Sequence, residues 1–201
     1  MRASAAARQG VGPFDWDDFV AQDEDDLREL IDGYLVEVEV PTHLHEHAVT
    51  MLIVLLGMWA RRNGGHVLSS GYKLKVSNKR GVMPDLQFYR DGNDVSARQQ
   101  QGLEYGRPDL VVEVVSPSSR RYDRIIKLGW YAKLRIPEYW IVDPEARTLE
   151  RLVLTDNAYA LADGHAEGES FRPPTFRGLA ITLSELWETP ARRRKHARRR
   201  R

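Results

Sequence analysis

The sequence predicts an α/β (α+β) domain, a central mixed β-sheet flanked by helices. Three observations carry this. Residues 108–116, "PDLVVEVVS", form an almost uninterrupted apolar run, the pattern of a strand buried on both faces of a sheet. A helical segment (118–134) and a second apolar strand, "EYWIVD" (138–143), follow, so strand, crossover helix and strand should make a right-handed parallel unit. Upstream, residues 46–62 read as a long helix. Ala48, Met51, Leu52, Leu55 and Trp59 share one face, while Val49, Ile53 and Val54 cover the others. A helix apolar nearly all round is expected to be buried all round.

The remaining elements follow in chain order. Residues 1–13 read as disordered, and 15–31 as one or two short acidic helices. Asp32-Gly33 signals a turn, and "YLVEVEV" (34–40) alternates like a strand. Gly64-Gly65 stops the long helix. Segments 66–76 and 82–90 read as two strands around the polar turn "SNKRG", and 91–107 as a polar loop. Pro117 ends the central strand, and the helix after it has a serine N-cap. A turn at "DPEART" leads to a strand at 149–154, an edge strand at 158–162 and a short helix near 184–188.

A length of 201 residues suits one domain, expected over 14–188 with a basic tail at 189–201. The absence of cysteine excludes disulfides, thiol nucleophiles and Cys-based metal centres. The apolar run 48–60 is too short to span a bilayer, and the N-terminus lacks a signal-type apolar stretch, so no membrane partner and a cytoplasmic location are expected. The net charge of +1 conceals an asymmetry. Eight basic residues fall in "RRRKHARRRR" (192–201), leaving −7 for the rest, and residues 15–32 hold nine acids and one Arg. The tail reads either as a disordered end or as a grip on phosphate backbones through Arg192, Arg193, Arg194 and Lys195.

Two strands carry the chemistry. Asp85 sits in "VMPDLQFYR" and Glu113 in "DLVVEVVSP". Side chains alternate across a strand, so Asp109, Val111, Glu113 and Val115 share a face, as do Met83, Asp85, Gln87 and Tyr89. If the strands are neighbours, Asp85 and Glu113 can converge on one cation; otherwise each is an edge acid facing water. Mg²⁺ takes one or two carboxylates plus waters and phosphate oxygens. Gln87, on the Asp85 face, would lie close to such a site.

"PD" at 84–85 followed by "EVV" at 113–115 resembles the two-carboxylate core of the PD-(D/E)XK nuclease superfamily. More narrowly, 107–150 resembles the signature stretch of the Uma-type restriction endonuclease domain, and 30–56 and 176–187 are similar to its opening and close. The resemblance covers roughly residues 14–188 and implies a restriction-endonuclease-like core. It also implies hydrolysis of a DNA phosphodiester with Mg²⁺, or Mn²⁺ in its place. Asp85 and Glu113 would then be metal ligands, with the Val114 carbonyl as a third.

One position departs from the motif. Where it places lysine, this chain has Val115, which cannot orient water or stabilise an anion. The alternative is therefore a decayed nuclease fold that binds nucleic acid or regulates. Asp123 and Lys127 share a helix face, and Tyr131 continues the row. The Uma-type pattern places an Asp and a Lys here, so Lys127 would replace the missing lysine, with Asp123 and Tyr131 as accessories. Related nucleases contribute an acid from the first core helix, the place of Glu46. His43, His45 and His47 are poorly spaced for three ligands on one zinc, although His47 could lie near metal or substrate. Cutting both strands would favour a symmetric homodimer.

Overall fold

The computed structural model describes residues 12–23, 26–37, 41–93 and 107–187. The tail residues Arg192, Arg193, Arg194 and Lys195, and most of the expected loop 91–107, lie outside them. Helix α1 (Trp16–Val20) opens with Asp15, whose side chain accepts the N–H groups of Asp17 and Asp18, while the Asp18 side chain accepts the Asp15 N–H. This reciprocal cap spends two acids of the acidic segment. Among the described residues, the rest of that segment is not helical. Residues Glu29–Ile31 form strand β1, which pairs antiparallel with β2 (Tyr34–Val36). The turn between them holds Asp32 and Gly33 at φ 50° and 87°, the backbone a two-residue hairpin requires. That turn decides the segment as strand, against the helical expectation.

Helix α2 (His43–Asn63) is capped by Thr42, whose hydroxyl accepts the His45 N–H, and ends at Gly64 in a positive-φ conformation. It buries only one face, through Ala48, Val49, Leu52, Leu56 and Ala60. Val54 and Met58 are 45% and 51% exposed, so the helix is not enclosed as its composition predicted. A sheet can cover one side of a helix, and nothing among the described residues covers the other.

The segments expected as single strands at 66–76 and 82–90 each divide. The first becomes β3 (His66–Ser69) and β4 (Leu74–Ser77), and the second contributes to β5 (Arg80–Val82) and β6 (Leu86–Tyr89). The break after β5 falls on Met83-Pro84-Asp85, where Pro84 has no N–H to give a ladder. There the chain leaves a small antiparallel sheet of order β2-β1-β5-β4 and enters the large one.

Strand β7 (Leu110–Val114) is buried at every position. Helix α3 follows, opening as a π-helical segment, Tyr122–Lys127, and continuing as α-helix over Leu128–Lys133. Ser116 and Ser119 begin it by exchanging backbone and side-chain hydrogen bonds. Strands β8 (Glu138–Asp143), β9 (Thr148–Thr155) and β10 (Ala158–Ala166) complete a six-stranded sheet of order β10-β9-β8-β7-β6-β3. The sheet is mixed, because β7 runs antiparallel to β6 and parallel to β8. The described residues end in the pair β11 (Ser170–Phe171) and β12 (Ile181–Thr182), which sequence patterning missed, and a 3₁₀ helix, Leu183–Leu186.

Alternation along β7 separates two cores. Leu110, Val112 and Val114 pack with Leu52, Leu56, Phe88 and Trp140 on the α2 side. Val111 and Val115 pack with Trp130, Tyr131, Tyr139 and Ile141 on the α3 side. Glu113 points with Val111 and Val115, into the α3 layer. Among the described residues, no helix is long and apolar enough to cross a membrane.

Two predictions test this packing. A Cβ at Gly81 would stand 2.6 Å from the Phe19 ring and 2.8 Å from Trp16. Gly81→Ala should therefore cost about 1–3 kcal/mol in a denaturant titration, and an unchanged midpoint would contradict the docking of α1 on β5. At the end of β8, burial works to raise the Asp143 carboxyl, but hydrogen bonds from Arg120 and the Ala146 N–H outweigh it and lower its pKa. A depressed folded-state pKa stabilises above the ordinary carboxylate range and is lost as pH falls through the folded value. Asp143→Asn should lower Tm at neutral pH, and the gap from wild type should close in acid.

Candidate active site

The register of the large sheet brings the two motif acids together. Leu86 faces Val112 and Gln87 faces Val111 across β6 and β7. One further step would bring Asp85 level with Glu113, but Asp85 lies just outside β6. Asp85, released from the ladder by Pro84, turns its carboxylate to the next strand instead. Its Oδ2 accepts the Val114 N–H at 2.7 Å. The contacts of Asp85 all fall on Oδ2, and those of Glu113 all on Oε1. Each acid thus has one tethered oxygen and one unclaimed among the described residues.

Helix α3 supplies the cation. Lys127 Nζ lies 3.0 Å from Glu113 Oε1 and 3.4 Å from Asp123 Oδ1. The π-helical segment contains both Asp123 and Lys127, and Leu128 N–H reaches back five residues to Asp123 O. Such widened turns recur at functional sites. One turn on, the Tyr131 hydroxyl donates to Glu113 Oε1 at 2.5 Å. Val115 is 2% exposed and packs in the α3-side core, so the space below Glu113 is filled by hydrocarbon while Lys127 approaches from the helix.

Two further residues reach the cluster that sequence reading did not single out. Glu29, on β1, is 1% exposed; its Oε1 accepts the Met83 N–H at 2.9 Å and lies 3.2 Å from Lys127 Nζ. The Asp32-Gly33 hairpin signal, carried back three residues, would have placed it on a strand. His45, in the first turn of α2, has Nε2 3.3 Å from Asp85 Oδ2 and Nδ1 3.6 Å from Glu46 Oε1. Nothing in the spacing of three alternating histidines distinguishes it from its neighbours.

The structure places the other candidates variously. Glu46 lines the same cavity as Asp85, but its side chain is 59% exposed, not enclosed, because α2 buries only one face. His47 lies outside the cavity lining, its ring parallel to that of His43. Gln87 is fully buried, and its amide is committed to the Tyr72 carbonyl and the Tyr89 hydroxyl, away from the acids.

These groups surround a cavity of about 690 Å³ between the small sheet, the start of α2 and the start of α3. Six carboxylates line it (Glu29, Glu37, Glu46, Asp85, Glu113, Asp123) against Lys127 and His45. Burial pushes the Glu113 carboxyl well above the ordinary range; Lys127 pulls it back, and Asp123, Asp85 and Glu29 push it further up. Burial works against the Lys127 ammonium, but Glu113, Glu29 and Asp123 outweigh it and hold its pKa well above the usual lysine value. Burial also opposes the His45 imidazolium, and the hydrogen bond and charge of Asp85, with Glu46, raise it on balance. Among the described residues, no three His, Asp or Glu side chains are arranged to hold a metal ion. Two facing carboxylates with free oxygens do fit Mg²⁺, which keeps most of its ligands as water or phosphate.

Comparison with known proteins bears on the family and the fold. A family model, Uma2, described as "putative restriction endonuclease", matches residues 16–184. The fold matches the crystal structure of a "putative nuclease" of the DUF820 family from Anabaena variabilis with a TM-score of 0.69 at 14% identity, covering 87% of this chain and 98% of that one. No curated protein matches in sequence. Since the family match runs from α1 to the last helix and takes in every acid of the cavity, the chain belongs to the Uma2 family.

Proposed function

We propose that this protein is a Mg²⁺-dependent endonuclease (Mn²⁺ substituting) that hydrolyses phosphodiester bonds in DNA. The observation that carries the reading is Lys127, 3.0 Å from Glu113, on the same cavity as Asp85, whose Oδ2 accepts the N–H of Val114 beside Glu113. This supports an enzyme over a decayed fold, because the lysine that Val115 lacks is supplied from α3.

Asp85 and Glu113 would hold the cation, with the Val114 carbonyl as a further ligand and Glu46 at the cavity mouth. A cavity lined by six acids repels a phosphodiester, so the substrate's approach depends on a bound cation. When bound, that ion supplies Lewis-acid polarisation of the phosphate and a more acidic water. Lys127 then orients the attacking water, or stabilises the charge that grows on the phosphoryl oxygens, as water adds to phosphorus and the P–O ester bond breaks. Tyr131 and Asp123 hold Glu113 and Lys127 in place. The tail residues 192–195 would grip the DNA backbone, and two copies in a symmetric dimer would cut both strands. His47 and Gln87 take no part in this reading.

Two measurements test it. Clean wild-type protein should nick supercoiled plasmid with Mg²⁺ or Mn²⁺ and stop with EDTA. Asp85→Asn should fall to background and Lys127→Met by about 10²–10³-fold. Absence of metal-dependent nicking, under conditions where the protein binds DNA, would sink the enzyme. Deleting residues 191–201 should flatten the dependence of DNA binding on log salt, and an unchanged slope would remove the tail from the interface.

A further inference from the structure

Lys127 does not belong to Glu113 alone. Its ammonium, 6% exposed, has Glu113 at 3.0 Å, Glu29 at 3.2 Å and Asp123 at 3.4 Å. Asp123 is on the same helix and Glu113 on the central strand, whereas Glu29 comes from the small sheet. Glu29 Oε1 is itself fixed by the Met83 N–H. Met83 stands two residues before Asp85, so one carboxylate oxygen braces both the segment that delivers Asp85 and the amine. Glu29 Oε2 is buried without a well-formed hydrogen bond, with the Tyr122 hydroxyl beside it. A buried carboxylate left half-satisfied is costly and is not what stability alone would select.

We propose that Glu29 is a positioning residue of the active site, holding Lys127 in place through its Oε1. The inference rests on the nuclease reading for its consequence. With a cation held by Asp85 and Glu113, Glu113 would have less charge to offer the amine. Lys127 would then be free to follow Glu113 toward the cation or to swing into the cavity, and Glu29, outside the pair of metal ligands, keeps it where water and phosphate meet. The small sheet thus completes the site as well as the fold.

The test compares wild type, Glu29→Gln, Lys127→Met and the double variant, each checked for folding by circular dichroism, with Glu29→Asp in reserve should the glutamine variant not fold. In plasmid nicking, Glu29→Gln should lower kcat by about 10–100-fold, the range for residues that orient a catalytic group, with KM within about twofold. The double variant should be no slower than Lys127→Met, because both act through one amine. Wild-type rates in Glu29→Gln, or losses that multiply in the double variant, would overturn the assignment. A second readout does not depend on cleavage. Reductive methylation read by mass spectrometry should find Lys127 protected in wild type and labelled in Glu29→Gln, and equal protection in both would overturn the assignment even if the plasmid is cut. If wild type fails to nick, the nuclease reading falls, while increased labelling of Lys127 would still uphold its positioning by Glu29.

Discussion

The buried ammonium of Lys127 is the interaction on which the rest of this structure depends. It joins α3 to the central strand through Glu113 and to the small sheet through Glu29. Desolvating a lysine costs several kcal/mol, and only close, well-oriented carboxylates offset it. Here three do, which fixes where α3 crosses the sheet and where the small sheet docks. Removing Lys127 would leave Glu113, Glu29 and Asp123 buried without that compensation.

That arrangement is expensive as a stability device. A hydrocarbon core of the same volume would serve the fold at least as well, and immediately below Glu113 the chain uses one, with Val111, Val115 and Ile141 packed against Trp130 and Tyr131. Along β7 the one polar side chain, Glu113, stands at the end that opens on the cavity. Excess acid there, with Lys127 already committed, makes the cavity a poor place for a bare phosphate. The local irregularities fall in the same region: Pro84 interrupts a strand, and a π-helical segment widens α3. Sequences depart from regular local structure where function requires it.

Much of the fold was legible because its signals are local. The apolar run around Glu113, the helix between two strands and the glycine stop of α2 each depend on neighbours a few residues away. So does the pairing of Asp123 with Lys127, since four residues is one helical turn. The failures have physical causes too. Segments 66–76 and 82–90 look continuous because a strand that changes sheets keeps its hydrophobic pattern on both sides of the break. The all-round apolarity of α2 suggested enclosure, yet the chain leaves Val54 and Met58 at the surface. Gln87 has the right alternation to face the site, and its amide is drawn away by two tyrosines that alternation does not specify.

The sequence by itself determined that two acids lie on definite faces of two apolar strands, that a lysine is missing where the motif wants one, and that another stands one helical turn from an aspartate. Backbone periodicity dictates the first and last of those facts, and the resemblance to the nuclease motif supplies the second. Only the tertiary structure decided that Asp85 binds the N–H next to Glu113, that Lys127 reaches Glu113, and that Glu29 and His45 join them from other elements. Such contacts are set by strand register and by the docking of one layer on another. Both arise from packing between segments far apart in the chain, which no local pattern encodes.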